Sequence, residues 1–387
     1  MFKTTSYIEL NQQALIENVK FLKELIGRDI KFSSVVKGNA YGHGIEQFIP
    51  MAEAAGIDHF SVYSGDEAYR VFKASSDQPE IMIMGWMDPE AMEWAIKNGI
   101  GFWIFETERL DKALEIAKKL RCKAKIHIEV ETGMNRTGLS NTSLNYVTKK
   151  IIENPDYFIL DGLCTHYAGA ESVANYVRVN RQISRFNKIS KKFQTLGLKP
   201  TYRHTACSAA ALNYPKTRMD LVRIGIAQYG LWPSAETFIQ YIHGKVARFD
   251  PLNRIISWKS EIISIKKVKE GEFISYGTTY LAQEEKLIAV IPVGYSHGFS
   301  RMLSNQGRVL IHGQRVGVIG MVNMNMIIAD ITSIPDVNIG DEVVIVGKQG
   351  ELEISISSFS EISNLVNYEL LARLPERTNR IVIHQKY

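Results

Sequence analysis

Strand-like and helix-like segments alternate between residues 32 and 224, and this alternation constrains the fold more than any other feature of the sequence. Apolar helical spacing, such as Leu110, Leu114 and Leu120, separates short runs rich in apolar and β-branched residues. Eight of these runs predict strands, at 32–36, 57–63, 81–84, 101–105, 124–130, 158–163, 200–205 and 219–224. Their number, order and length predict an α/β fold with an N-terminal (β/α)8 TIM-type barrel.

The pattern changes after about residue 245. Apolar runs then follow one another through tight turns, and helical spacing returns only at Glu361–Leu365. This pattern predicts a smaller all-β C-terminal domain. We therefore predict a barrel domain at 11–243 and a β-strand domain at 244–387, with residues 1–10 as a candidate strand that joins the second domain.

The composition indicates an ordinary globular chain. Its 46 basic and 41 acidic residues give a net charge of +5, which is too balanced to predict a nucleic-acid partner, and base-rich runs such as Lys188–Lys192 fit solvated helix faces. No apolar run approaches the ~20 residues of a membrane span, and the first residues have no signal-like apolar core. Three widely spaced cysteines predict reduced thiols in a cytoplasmic protein, and no spacing typical of metal ligands occurs.

Lys37 comes where the first predicted barrel strand ends. Functional groups of such barrels lie at the carboxyl ends of their strands. Burial lowers the pKa of an ammonium group, and a neutral amine is a nucleophile for carbonyl compounds. The position alone also fits a lysine that reaches from the strand end to solvent, so both interpretations stay open at this point.

The surrounding segment, Lys37-Gly-Asn-Ala-Tyr41-Gly-His-Gly, resembles the cofactor segment of bacterial alanine racemases and departs from it only at Gly38. In that family the lysine carries pyridoxal 5'-phosphate (PLP) as a Schiff base, and the tyrosine helps to hold the phosphate. The order of a barrel followed by a β domain is also that of the family. The resemblance therefore implies PLP at Lys37 and phosphate binding by Tyr41.

Three further barrel segments resemble family motifs. In Arg223-Ile-Gly225-Ile226, the resemblance implies that the arginine donates to the pyridine nitrogen and that the two following amides bind phosphate. Ser208 resembles a phosphate-binding serine, and His166 resembles the histidine that stacks on the PLP ring. Taken alone, these residues equally fit a strand-ending turn, a helix N-cap and a packed histidine.

The segment from Glu129 to Gly138 resembles the family motif whose arginine contacts the PLP phenolate and the substrate carboxylate, a role that falls to Arg136 here. A guanidinium suits it because it binds carboxylates through two parallel hydrogen bonds. Many family members have a carbamylated lysine where this chain has Glu129. Our hypothesis is that the Glu129 carboxylate replaces the carbamate and that its shorter reach shifts Arg136 and the substrate preference.

The β domain carries three more segments that resemble the family. Tyr276, in Ser-Tyr-Gly, matches the tyrosine that enters the partner subunit's active site as the second base, although by itself the segment fits a turn. Tyr295 matches a residue of the substrate entrance, and the amide of Met321 matches one that meets the substrate carboxylate. The chain departs from the family at Ser296-His297, at Val322 and around Glu376, where a phosphate-contacting tyrosine is usual.

Together, these resemblances imply a PLP-dependent enzyme that interconverts L- and D-alanine. Lys37 and Tyr276 of the partner subunit would exchange the α-proton on opposite faces, which requires a homodimer with shared sites. The D-alanine would supply peptidoglycan. A racemase for other or more amino acids remains an alternative, as does a non-catalytic PLP-binding barrel, although such barrels lack a β domain. A PLP decarboxylase of similar layout lacks support because its usual motifs are absent.

Overall fold

Eight parallel strands and their connecting helices dominate the first of two units in the computed structural model, which describes residues 4–246, 248–363 and 367–384. This barrel unit comprises Leu15–Lys37 and Phe48–Asn253. The second unit, here the β unit, comprises the residues up to Ala14, Gly38–Gln47 and the residues from Arg254 onward. Within the described ranges, no helix combines the length and apolarity that crossing a bilayer requires.

The barrel strands run in the order β8-β7-β6-β5-β4-β3-β2-β9, and each pairs in parallel with its neighbour. The edge strands β8 and β9 approach each other through a parallel bridge between Cys207 and Arg223, so the sheet nearly closes. The predicted α/β fold with eight barrel strands is confirmed. The strands are β2 Lys31–Val35, β3 His59–Val62, β4 Glu80–Ile83, β5 Gly101–Ile104, β6 Ala124–Glu129, β7 Phe158–Cys164, β8 Tyr202–His204 and β9 Leu221–Ile224.

Several helices begin where the sequence provides a cap. The Asn11 side chain accepts hydrogen bonds from the backbone N–H groups of Gln13 and Ala14, and Asp88 caps its helix in the same way. Thr107 is the first residue of its helix, and its hydroxyl donates to Glu108 rather than capping the helix. The helices are α1 Gln12–Ile26, α2 Ile45–Ala54, α3 Gly65–Ala74, α4 Pro89–Lys97, α5 Thr107–Leu120, α6 Asn141–Glu153, α7 Tyr176–Thr195, α8 Ser208–Asn213 and α9 Ala235–Ile242.

The β unit contains two sheets. The larger has the order β14-β13-β16-β10-β1-β18, with β17 also paired to β16, and the smaller has the order β11-β12-β15. Strand β1 (Ser6–Asn11) lies between β10 (antiparallel) and β18 (parallel). The other strands are β10 Ile256–Glu261, β11 Ser264–Val268, β12 Lys286–Ile291, β13 Arg308–Ile311, β14 Gln314–Gly317, β15 Ile327–Asp330, β16 Glu342–Gln349, β17 Leu352–Ile354 and β18 Asn379–Ile383.

Two short helices, α10 (Ile356–Ser363) and α11 (Asn367–Ala372), complete the β unit. The sequence predicted helix only at Glu361–Leu365. The structure begins α10 five residues earlier, and residues 364 and 365 of the predicted helix lie outside the described residues.

A left-handed turn follows the first barrel strand and was not predicted. Four successive residues, Gly38, Asn39, Ala40 and Tyr41, have φ values between 51° and 62°. Only glycine adopts this conformation at no steric cost, and each of the other three residues costs about 1–2 kcal/mol. Tertiary contacts in the β unit must therefore stabilise the turn.

Candidate active site

Lys37 directly follows Val36 at the carboxyl end of β2, where the sequence predicted it. Solvent reaches the Lys37 side chain, yet the surrounding protein excludes enough water from the ammonium group to change its pKa. Burial lowers the pKa of Lys37, and the positive charges of Arg136 and Arg223 lower it further, against an opposing effect of Glu67. This shift increases the fraction of the neutral amine, the nucleophilic form of this side chain.

His166 lies near the three cations Lys37, Arg136 and Arg223. Burial lowers its pKa to about 3, and the charges of Arg223, Arg136 and Lys37 act in the same direction. This electrostatic coupling brings four predicted site residues into one neighbourhood. At neutral pH the His166 ring is uncharged, so it can stack against a flat group but does not act as an acid.

Arg223 is almost completely buried on β9 and is oriented by several acceptors. Its Nη1 donates to the Nδ1 and the backbone oxygen of His204, both at 2.7 Å, and its Nη2 donates to the backbone oxygens of Thr165 (2.8 Å) and Thr205 (3.3 Å). Its guanidinium lies 5.2 Å from the ring centre of Trp103, within cation–π range. Within the described residues, Arg223 forms no ion pair with a carboxylate.

Ser208 and the backbone after β9 form a second part of the site. The Gly225 N–H donates to Ser208 Oγ at 2.9 Å, and a 3-10 helix begins at Ile226. We left open whether Ser208 is an N-cap. The cap position of α8 is Cys207, and Ser208 is the first helical residue. This bond engages the Gly225 N–H, whereas the buried Ser208 hydroxyl keeps its proton as a donor suited to an anionic oxygen, as a phosphate would provide.

The loop that carries Arg136 is held from two sides. The Glu131 carboxylate accepts hydrogen bonds from the backbone N–H groups of residues 133–135. From α7, Arg178 Nη2 donates to the Gly133 oxygen at 3.1 Å, and Arg185 Nη1 donates to the Thr132 oxygen at 3.0 Å. The loop therefore presents Arg136 from a constrained backbone.

Glu129, at the end of β6, is only 3% exposed. Burial raises the pKa of its carboxyl group, while Thr137, through a hydrogen bond, and the charges of Arg136 and Arg223 oppose that rise. Its Oε2 is buried without a hydrogen-bond partner in the structure. A buried acceptor without a hydrogen bond destabilises the folded protein unless a donor or a nearby cation compensates for it.

Tyr41 belongs to the β unit and is the last residue of the left-handed turn. Its ring contacts that of Tyr368 edge-on, with centroids 6.4 Å apart. Gly42 follows, and its backbone oxygen accepts from Nε (3.0 Å) and Nη2 (2.8 Å) of the buried Arg380. These contacts fix the backbone on which Tyr41 lies.

The predicted residues of the β unit are connected through Asn323. Ser275 Oγ donates to the Met321 oxygen at 2.8 Å and contacts Asn323 Oδ1 at 3.1 Å, while the Tyr295 N–H donates to the Asn323 oxygen at 3.1 Å. Tyr276, next to Ser275, leaves 73% of its side chain exposed. The unit therefore gathers all three predicted residues in one region and turns the tyrosine outward.

Comparison with known proteins agrees with this arrangement. A family model described as "Alanine racemase, N-terminal domain" matches residues 10–233, and one described as "Alanine racemase, C-terminal domain" matches residues 255–382. The alanine racemase of Methanococcus maripaludis is 33% identical over 378 residues, which is 98% of this chain and 98% of that protein. This chain belongs to the alanine racemase family.

Solved structures extend the similarity to three dimensions. The alanine racemase of Bacillus anthracis with bound L-Ala-P has a TM-score of 0.89 and is 31% identical, covering 99% of this chain and 96% of that one. The alanine racemase of Bartonella henselae with covalently bound pyridoxal phosphate has a TM-score of 0.83 at 24% identity, covering 98% and 100% of the two chains, and it supports the fold alone. The protein is an enzyme of the amino-acid racemase class.

Sequence reasoning missed three residues that shape this alanine racemase family site: Glu131, Arg178 and Arg185. The base-rich run Lys188–Lys192 was the part of helix α7 interpreted as a solvated face; Arg178 and Arg185, which precede that run, bind the Arg136 loop. The spacing of Arg178 and Arg185, seven residues apart, places both on one helix face and was an available signal.

Within the described residues, no group of three or more potential metal ligands is gathered.

Proposed function

We propose that this enzyme interconverts L- and D-alanine with PLP and with two bases, Lys37 and Tyr276 of a partner subunit. The observation that carries the proposal is the group formed by Lys37, Arg136, Arg223 and His166 at the open end of the barrel. In it, a lysine of lowered pKa lies near two guanidinium groups and an uncharged imidazole. This set suits a carbonyl compound that carries negative charge.

The residues present fit PLP. The buried Ser208 hydroxyl supplies a donor of the kind that a phosphate requires, and Arg223 is a buried cation that pairs with no carboxylate among the described residues. Lys37 would bind the aldehyde, and Arg223 would donate to the ring nitrogen. The phosphate would be held by Tyr41, Ser208, Gly225 and Ile226, and the ring would lie against His166. When bound, PLP withdraws electrons from the substrate α-carbon and so acidifies its hydrogen.

Lys37 would act as the base on one face. Its lowered pKa leaves a larger neutral fraction at physiological pH, so Nζ can accept the α-proton and return it. Arg136 would bind the substrate carboxylate through its fork of N–H donors, with the Met321 amide as a second donor. Together these contacts would orient the α-hydrogen toward Nζ.

Tyr276 would act on the opposite face, from a second copy of the chain. Racemisation requires a proton donor on the face away from the base, and the outward-facing phenol of Tyr276 is available for that role. A homodimer with two shared sites follows from this proposal. We further propose that the enzyme works in the cytoplasm and that its D-alanine supplies peptidoglycan.

Substrate breadth is the remaining alternative. Val322, which departs from the usual aspartate, is 1% exposed, so its side chain packs within the β unit rather than facing a ligand. This burial gives the Val322 side chain no direct part in substrate selection, and the preference for alanine rests on the family alone. Tyr295, with 44% of its side chain exposed, would line the substrate entrance.

The test combines absorbance and turnover. PLP is added to the purified protein, its visible absorbance is recorded, and racemisation is measured with alanine and with a panel of other L-amino acids. We expect a visible band that Lys37→Ala abolishes and that Tyr276→Phe preserves, with racemisation lost in both variants. An unchanged rate in Tyr276→Phe would refute the second base, and faster turnover of another amino acid would refute alanine as the substrate.

A further inference from the structure

Behind the candidate active site, a chain of hydrogen-bonding side chains runs through the barrel interior to Arg223. His204 Nδ1 lies 2.7 Å from Arg223 Nη1, and His204 Nε2 lies 3.0 Å from His127 Nδ1. His127 Nε2 in turn lies 3.5 Å from Asp161 Oδ2. All four side chains are buried, on the successive strands β6, β7, β8 and β9.

The direction of every bond in this chain is fixed by its two ends. A guanidinium can only donate, so His204 Nδ1 must accept. Burial and the charge of Arg223 lower the pKa of His204 well below its usual value, so the ring is neutral and carries its proton on Nε2. That proton is donated to His127 Nδ1, which leaves the His127 proton on Nε2, facing the carboxylate of Asp161.

The neighbouring strands leave room for this arrangement. A Cβ atom at Gly162 would lie 2.0 Å from His127 Nδ1 and 2.7 Å from His204 Nε2, which is where the two rings meet. A Cβ atom at Gly101 would lie 2.8 Å from His127 Nε2. Bulky branched side chains usually fill this part of a TIM-type barrel. Two glycines here instead accommodate two imidazole rings, which indicates that the polar chain is a built feature of the barrel.

The carboxylate at the far end is held in its charged form. Burial raises the pKa of Asp161, but the hydrogen bonds from His127 and Thr201 and the charge of Lys125 outweigh this effect and lower it. A negative charge therefore ends the chain at Asp161, while the positive charge of Arg223 begins it. The two charges are joined through two polarisable rings rather than by a direct ion pair.

We propose that Asp161 and His127 are positioning residues for Arg223, and that they act through His204 to hold the guanidinium in one orientation as a donor toward the cofactor ring. A carboxylate bound directly to Arg223 would occupy the N–H groups that face the site. Asp161 instead acts through His127 and His204 and stabilises the Arg223 cation on the side away from the site. The side of the guanidinium that faces the site stays available to the cofactor. This inference rests on the proposed PLP function for its consequence, but not for its geometry.

The geometry is tested by nuclear magnetic resonance on the full-length protein labelled with ¹⁵N in histidine and arginine, first without added cofactor. We expect His204 and His127 each to carry a proton on Nε2 and none on Nδ1, from pH 6 to pH 8. His127→Gln and His204→Gln assign the signals. A proton on Nδ1 of His204 would overturn the proposal, and this measurement does not require that the protein bind PLP.

The positioning role is tested with Asp161→Asn, which keeps the shape of the side chain and removes its charge. We expect shifted His127, His204 and Arg223 signals, a displaced visible band of bound PLP and about tenfold weaker PLP binding, comparable to the loss of an outer-shell partner at a metal site. Asp220→Asn is the matched control. Asp220 binds Arg203 of strand β8 but is not one of the hydrogen-bonded side chains that lead from Asp161 to Arg223.

Two results would separate the possible failures. If Asp161→Asn leaves the Arg223 signals and the PLP band as in the parent, Asp161 is not a positioning residue. If the parent protein binds no PLP while its histidines show the expected tautomers, the proposed function fails and the hydrogen-bonded chain stands. If Asp161→Asn does not fold, the tautomers of the parent protein still decide the direction of the chain.

Discussion

At the scale of single residues, Glu129 is a buried carboxyl group near two cations of the candidate site. It is nearly inaccessible, and one of its oxygens has no hydrogen-bond partner among the described residues. Arg136 and Arg223 are the cations that act on it. The structure is consistent with our hypothesis that Glu129 stabilises Arg136 from behind, in place of a modified lysine.

Glu129→Gln tests this hypothesis, because it keeps the side-chain shape and removes the charge. We expect the KM for alanine to rise about tenfold, since an anchoring charge worth ~1.4 kcal/mol would be lost from Arg136, with a smaller change in kcat. Steady-state kinetics in both reaction directions measures the effect. Glu131→Gln is a comparison variant of the same chemistry that acts on the loop backbone. An unchanged KM in Glu129→Gln would contradict the hypothesis.

At the scale of structural elements, the left-handed turn from Gly38 to Tyr41 is the most unusual feature. Three of its residues are not glycine, so the turn stores about 3–6 kcal/mol of backbone strain. Contacts within the β unit compensate for it. A Cβ atom at Gly42 would come within 1.8 Å of the Leu371 oxygen, and Arg380 donates twice to the Gly42 oxygen.

Arg380→Lys tests this compensation. Lysine keeps the positive charge but cannot reproduce the fork that binds the Gly42, Glu376 and Thr378 oxygens. We expect PLP to bind about tenfold more weakly, because Tyr41 would lose part of its fixed backbone, as measured by absorbance titration of the cofactor-free protein. Arg377→Lys, on the exposed neighbouring arginine, is the control. Equal PLP affinities in Arg380→Lys and Arg377→Lys would show that the Arg380 hydrogen bonds are not needed for cofactor binding.

The sequence predicted regular elements better than this turn. The eight barrel strands follow from local apolar runs, and the caps Asn11 and Asp88 bind N–H groups only two or three positions away, which makes capping a local property. The turn depends instead on Leu371 and Arg380, more than 300 residues further along the chain. No local pattern places Asn39, Ala40 and Tyr41 at positive φ, so the sequence could indicate only a loosened backbone around Gly38.

The candidate site divides in the same way. The motif residues Lys37, Arg136 and Arg223 were predictable because their types and spacing resemble a known family. The interactions that hold them were not predictable, because His127 and Asp161 lie on β6 and β7 and reach Arg223 only once the strands are side by side. An isolated histidine in a strand pattern carries no sign of its partners.

At the scale of the whole molecule, buried histidines make stability depend on pH. Burial lowers the pKa of His43 to about 3, of His59 to about 4 and of His166 to about 3, and it lowers that of His204 well below its usual value. The unfolded chain binds protons near pH 6.5, whereas the folded chain does not. The folded state is therefore most favoured above pH 6.5 and loses stability as the pH falls toward 4.

We expect the thermal midpoint to decrease by several degrees between pH 7.5 and pH 5.5, because each buried histidine costs up to ~1.4 kcal/mol per pH unit in this range. Differential scanning calorimetry measures the shift. His59→Asn removes one such group and should reduce the slope. A midpoint independent of pH would contradict the prediction.

The proposed sharing of sites between two chains is also a property of the whole molecule. Lys37→Ala and Tyr276→Ala are each expected to be inactive alone. When they are co-expressed, mixed dimers contain one intact site, so activity should return to about one quarter of the parent value. Activity of the mixture no higher than that of the separate variants would show that Tyr276 does not act in a neighbouring chain.

The bonds between Arg380 and Gly42 have a consequence for biosynthesis. The two residues are 338 positions apart, so a ribosome must translate through Arg380 before they can meet. The lysine that would receive the vitamin-derived group emerges early, yet the bonds that hold the backbone beside it form only after Arg380 has emerged. Nascent chains stalled before Arg380 should therefore lack the absorbance band of bound PLP, and acquisition of the cofactor would follow synthesis of the β unit.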